Sequence, residues 1–182
     1  LIFAGCNNDK ISIVRLGVDI DKLTKAGLEV QKTSYPSLIH VGRLVEKKNP
    51  IILLHTFKKV LEYFPDSILT IIGSGPMYSE VRECIKKFNI QKSVRLISAL
   101  ERNEVLQELS SHWIYAQHCV TGGNGDQEGF SVSILEASFY KLPVVSTLHN
   151  GIPENVIDGE TGFLVREYDY NAMAEKIIYL LN

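Results

Sequence analysis

Residues 37–64 read Ser-Leu-Ile-His-Val-Gly-Arg-Leu-Val-Glu-Lys-Lys-Asn-Pro-Ile-Ile-Leu-Leu-His-Thr-Phe-Lys-Lys-Val-Leu-Glu-Tyr-Phe. Ser37–Val41 is short, apolar and closed by a glycine, the pattern of a buried strand. Pro50 then opens a segment in which Leu53, Leu54, Phe57, Val60 and Leu61 fall at helical spacing, so a helix is predicted over Pro50–Phe64. The same unit recurs to the end of the chain. Strands are predicted at Ile68–Ile72, Val94–Ser98, Trp113–Gln117, Val144–Thr147 and Gly162–Val165. Between and after them, helices are predicted at Tyr78–Phe88, Asn103–Leu109, Phe130–Tyr140 and Tyr170–Leu181, with a short turn at Pro153–Ile157.

Strands alternating with helices pair in parallel through right-handed crossovers. The fold class expected is therefore α/β: a Rossmann-like open parallel sheet of about six strands with helices on both faces. Residues 1–34 do not follow the rhythm. Lys10–Arg15 reads as a strand and Leu16–Asp19 as a turn, so 1–34 is expected to be the remnant of an upstream domain plus a linker, with one domain over 35–182. A start at Leu1 rather than Met is read as a fragment boundary.

Composition bounds the function. With 45% apolar and 22% charged residues the chain is an ordinary globular one. A net charge of −2 supplies no broad basic face, so no nucleic-acid partner is expected. Cys6, Cys84 and Cys119 are odd in number and lack a C-x-x-C, which suits reduced thiols and a cytoplasmic location. Phe3-Ala4-Gly5-Cys6 looks like a lipoprotein cleavage box but has no basic and apolar stretch ahead of it. No apolar run approaches the roughly 20 residues that span a bilayer.

Ligands of open parallel sheets lie beyond the carboxyl ends of the strands. After the first strand come Gly42, Arg43 and Lys48, a sharp turn followed by a planar cationic fork and a mobile point charge. That pair suits a diphosphate. Gly73-Ser74-Gly75-Pro76 starts like a dinucleotide fingerprint, but Tyr78 occupies its sixth position, and a tight turn into a proline-started helix explains it better. After the fourth strand runs a long glycine-rich segment, Thr121-Gly122-Gly123-Asn124-Gly125-Asp126-Gln127-Glu128, of the kind that binds ligands. The next helix is expected to start near Gly129-Phe130-Ser131, offering unpaired N–H groups to an anion. Glu128 at that mouth and Glu136 about two turns on are carboxylates of the kind that hold the vicinal hydroxyls of a sugar or ribose. The five histidines lack ligand spacing and no metal is expected, although Asp126 and Glu128 offer hard-cation oxygens. His118 reads as structural, and Trp113 as part of the sheet core.

Taken together, these motifs resemble the C-terminal, nucleotide-sugar-binding domain of a GT-B glycosyltransferase of the retaining family 4 type (glycosyl transferases group 1). The matching residues are Val41-Gly42-Arg43-Leu44 with Lys48, the Gly73–Pro76 turn, Glu128 to Glu136 as an E-x7-E motif, Gly151-Ile152-Pro153-Glu154 and Gly159–Val165. Asn124–Gly129 with His118 ahead of it is most similar to members that build exopolysaccharide or other surface glycans. Asn150, Leu16-Gly17 and Ser131 depart from the commoner residues of the family.

The resemblance implies transfer of a hexose from a nucleotide sugar to a glycan or lipid-linked acceptor. Arg43 and Lys48 would hold the donor diphosphate, Glu128 the transferred sugar and Glu136 the ribose. Gly42, Gly73 and the amides of Gly129, Phe130 and Ser131 would line the donor, and Ser98 and Ala99 would border the base. It further implies that Arg43, Lys48 and Glu128 carry the chemistry without metal or cofactor. The acceptor would be bound by a missing N-terminal domain, and the full-length protein would work at the cytoplasmic face of the inner membrane. A non-catalytic nucleotide- or glycan-binding module, or a GT-B phosphorylase or epimerase relative, would share the fold.

Overall fold

The computed structural model describes residues 5–12, 14, 16–27 and 31–182. Six strands form one sheet: β1 (Ser37–Val41), β2 (Ile68–Ile72), β3 (Val94–Ile97), β4 (Ile114–Ala116), β5 (Val144–Thr147) and β6 (Gly162–Val165). Their order is β3-β2-β1-β4-β5-β6, and every pairing is parallel. The helices are α1 (Ile20–Gly27), α2 (Pro50–Tyr63), α3 (Tyr78–Lys87), α4 (Arg102–Ser111), α5 (Val132–Phe139) and α6 (Tyr170–Leu181).

The two-residue period of the strands sorts the core into two layers. Leu38, Leu69, Ile71, Ala116 and Val145 face one way, against Leu53, Phe57 and Val60 of α2, Val81 and Ile85 of α3 and Met173 and Ile177 of α6. Ile39, Ile72, Tyr115 and Val144 face the other way, against Leu23 of α1, Leu106 and Leu109 of α4 and Ile134 and Ala137 of α5. Both faces of the central strands are buried, which is why these strands read as continuous apolar runs.

Several expectations need correction. No strand occurs among the described residues of 10–15: Asn8–Lys10 is a single 3-10 turn, Ile11, Ser12 and Val14 are irregular, and residues 13 and 15 lie outside the described residues. The N-terminal stretch instead supplies α1, whose Leu23 is fully buried and whose backbone accepts from the Tyr140 hydroxyl at 2.8 Å. Residues 32–33 are bonded to the end of α4 as well, through Lys32 Nζ to the His112 carbonyl (2.6 Å) and Thr33 N to the Ser111 carbonyl (2.9 Å). Helix α4 is longer than expected because Glu101 and Glu104 close a capping box at its start. Trp113 and Gln117 fall outside β4; Trp113 is half-buried at the rim of the core and donates its indole N–H to the Thr33 carbonyl at 2.9 Å.

The start of α5 is the displacement that bears most on function. A helix near Gly129 was expected, yet α5 begins at Val132. Ser131 holds extended torsions, and its hydroxyl donates to Gln117 Oε1 at 3.1 Å instead of capping its own helix. A buried network of Gln117, Tyr115 and Ser133 competes for the residue that would otherwise start the helix.

Candidate functional site

The chain turns to opposite sides of the sheet from β1 and β4, and the crevice above their carboxyl ends is the topological switch point. The loops after β1 and β4 face each other there. Gly73 packs so closely that a Cβ would overlap the Gly42 carbonyl oxygen, and this fixes the second loop against the first. Glu46–Lys48 then form one 3-10 turn, and Asn49, in the left-handed region, caps α2 by accepting from Ile52 N at 3.2 Å.

Lys48 and Glu128 meet at 3.3 Å with only 11% and 12% of their side chains exposed. Lys47 reaches Asp126 at 3.1 Å, the Gln127 carbonyl at 3.3 Å and Glu128 at 4.0 Å. Gly123 N donates to Glu46 Oε1 at 2.9 Å, and Val120 N to the Lys47 carbonyl at 2.9 Å. The glycine-rich loop is thus fastened along the loop after β1. Arg43 is exposed and makes no ion pair among the described residues. The amides of Gly129, Phe130, Ser131 and Val132 donate to no group among the described residues, so four N–H groups stand at the mouth of α5.

Glu136, on α5, is 3% exposed and accepts from the Arg102 guanidinium of α4. That hydrogen bond holds Arg102 above its usual range. The pair borders a cleft of about 400 Å³ between α1, α4 and α5, lined also by Asp19, Lys22, Asn103 and Leu106. The two acids of the E-x7-E motif therefore each have a cation, supplied by different elements. Ser98 and Ala99 are exposed just past the edge strand β3.

Arg102, Lys47 and His149 are additions to the residues found by sequence reading. His149 is buried, hydrogen-bonded through Nδ1 to Glu167 at 2.6 Å, and its Nε2 accepts the Glu128 N–H at 3.1 Å. Burial pushes the Glu167 carboxyl up, but hydrogen bonds from His149 and from Thr121 N outweigh it and leave the group below its usual range. The sequence signal was available: His149 stands two residues before the Gly151-Ile152-Pro153-Glu154 motif, at the end of β5. His118 is buried beneath α6, where its Nε2 accepts from Tyr168 N at 2.8 Å, and burial lowers it to about 4. Cys119 is buried too and pushed up to about 12, chiefly by desolvation, so it stays a thiol. Among the described residues no cluster of three His, Cys, Asp or Glu is placed to hold a metal, and no helix is long and apolar enough to cross a membrane.

Comparison with known proteins gives a consistent picture. The family description glycosyl transferases group 1 matches residues 25–182. The putative colanic acid biosynthesis glycosyltransferase WcaL of Escherichia coli K12 is 32% identical over 173 residues, covering 95% of this chain and 42% of the relative. The chain thus spans less than half the length of that relative. Among solved structures, Anabaena HepE in complex with UDP and glucose matches with a TM-score of 0.80 at 20% identity, over 100% of this chain and 50% of that one. The C-terminal domain of the group 1 family protein LpcC from Francisella tularensis matches with a TM-score of 0.73 at 23% identity, over 91% and 88%. These likenesses carry the GT-B, Rossmann-like fold.

Proposed function

The chain belongs to the glycosyl transferases group 1 family, and from that premise we propose that it is the donor-binding half of a retaining, family 4 hexosyltransferase acting on a nucleotide sugar. Its acceptor is a surface-glycan or lipid-linked saccharide held by a further domain, and the complete protein works in the cytoplasm at the membrane face. The observation that carries this reading is the meeting of Lys48 with Glu128 at the switch point, beside four unengaged amides and the unpaired Arg43. Cations and amides in one crevice suit a diphosphate. A carboxylate at its edge suits the hydroxyls of the attached sugar.

The chemistry follows from where charge develops. Transfer breaks the bond between the anomeric carbon and the diphosphate oxygen, and the electron pair leaves with that oxygen. Arg43, Lys48 and the α5 amides stabilise the growing negative charge, which makes metal-independent chemistry sufficient. The acceptor hydroxyl forms the new glycosidic bond and passes its proton to the departing diphosphate oxygen. Glu128 exchanges its Lys48 contact for sugar hydroxyls, freeing the ammonium for the phosphates. Glu136, held by Arg102, takes the ribose hydroxyls, and Ser98 and Ala99 border the base. Calorimetry with UDP-, GDP- and ADP-sugars tests the proposal: a dissociation constant well below millimolar for one of them supports it, and none tighter than millimolar removes it. Glu136→Ala should weaken nucleoside diphosphate binding, and unchanged affinity would take Glu136 out of the ribose role.

A further inference from the structure

We propose that His149 and Glu167 form a clamp that positions Glu128, which makes His149 a positioning residue for donor-sugar recognition; this rests on the reading of Glu128 as the sugar carboxylate. One Glu167 oxygen accepts from His149 Nδ1 at 2.6 Å and the other from Thr121 N at 3.1 Å. His149 Nε2 accepts from Glu128 N at 3.1 Å. Thr121 and Glu128 are the two ends of the glycine-rich loop, so a single carboxylate–imidazole pair ties both ends to the loops after β5 and β6.

The proton assignment is forced by the partners. The Glu167 carboxylate only accepts, so Nδ1 carries the hydrogen; the Glu128 amide only donates, so Nε2 presents its lone pair. A group at position 149 must therefore donate at one end and accept at the other. With the His149 side chain 1% exposed, water does not substitute for it. Between the two anchors the loop holds Gly122, Gly123 and Gly125; Glu46 and Lys47 fasten its middle, and the clamp fixes its two ends. From the peptide held at this position, the Glu128 side chain reaches Lys48 at 3.3 Å.

Three variants of the chain separate the possibilities. His149→Phe keeps the bulk and removes both hydrogen bonds. His149→Gln retains an amide donor and a carbonyl acceptor. Glu167→Gln retains an acceptor for His149 and removes its charge. In nitrogen NMR, His149 should be the neutral tautomer protonated at Nδ1. The Glu128 amide proton should move upfield in His149→Phe and stay near its place in His149→Gln. By calorimetry, the affinity that the sugar adds over the nucleoside diphosphate should fall about tenfold in His149→Phe and in smaller measure in Glu167→Gln, with His149→Gln restoring most of it. Binding of the nucleoside diphosphate itself should stay within about twofold, which also certifies the fold. A proton on Nε2, an unmoved Glu128 amide in His149→Phe, or an undiminished sugar increment would overturn the clamp. If the unsubstituted chain binds no nucleotide sugar, the glycosyltransferase reading of Glu128 fails, and the tautomer and amide signals decide the clamp alone.

Discussion

Lys48 Nζ stands 3.3 Å from Glu128 Oε2, joining the loop after β1 to the mouth of α5 across the switch point. The pair is nearly withdrawn from water, so removing one partner costs more than breaking an exposed ion pair. Arg43, by contrast, has no partner within the described chain.

That contrast makes the first prediction. Lys48→Ala and Arg43→Ala should each weaken nucleoside diphosphate binding by about one to two decades, the value of one charge-assisted hydrogen bond. Only Lys48→Ala should also lower the melting temperature, because it leaves the part-buried Glu128 with only the more distant Lys47, at 4.0 Å. Arg43→Ala should leave stability within about 0.5 kcal/mol. Calorimetry and thermal melts on the same samples check both.

Arg102→Ala should destabilise the fold by about 1–2 kcal/mol, less than for a fully enclosed pair because Arg102 is 58% exposed while Glu136 is 3% exposed. Adding Glu136→Gln should recover most of the loss, since a neutral amide is cheaper to bury alone. Urea unfolding of the single and double variants measures the coupling.

Gly151 packs so that a Cβ would overlap the Gly129 carbonyl oxygen, although its φ of −84° is open to any residue. Gly151→Ala should therefore cost about 1–3 kcal/mol by overpacking. Because it pushes on the residue after Glu128, it should also reduce donor affinity more than a remote variant of equal stability. A thermal-shift titration with nucleotide sugar separates the two effects.

Stability should fall as pH drops from about 6.5 to about 4. Burial holds His40 and His118 each at about 4 against 6.5 for a free side chain, with the Lys48 charge adding to the effect at His40. Between those values the unfolded chain binds protons that the folded chain refuses, so each histidine contributes a slope of about 1.4 kcal/mol per pH unit, and the contribution is complete above 6.5. His118→Gln keeps an acceptor for Tyr168 N and should make the slope shallower. Urea midpoints across that range provide the measurement.

The fold was legible because its signals are local. Pro50 and the spacing of Leu53, Phe57 and Val60 specify α2 without knowledge of its neighbours, and the apolar runs of β1, β2 and β5 were placed to the residue. Helix α1 escaped notice because its eight residues bury Leu23 alone as a large apolar group, a pattern too short to stand out in sequence. The start of α5 was misplaced because Ser131 answers to Gln117, a residue fourteen positions away.

By itself the sequence determined the alternation of strands and helices, the strand-end position of the basic and glycine-rich loops, and the two carboxylates eight positions apart. Only the tertiary structure decided which cation each acid meets: Lys48 for Glu128 and Arg102 for Glu136. It alone placed His149 behind the Glu128 peptide. The reason is physical. Periodicity and turn chemistry are written within a few residues, whereas ion pairs and buried hydrogen bonds depend on where crossover connections bring distant side chains in space.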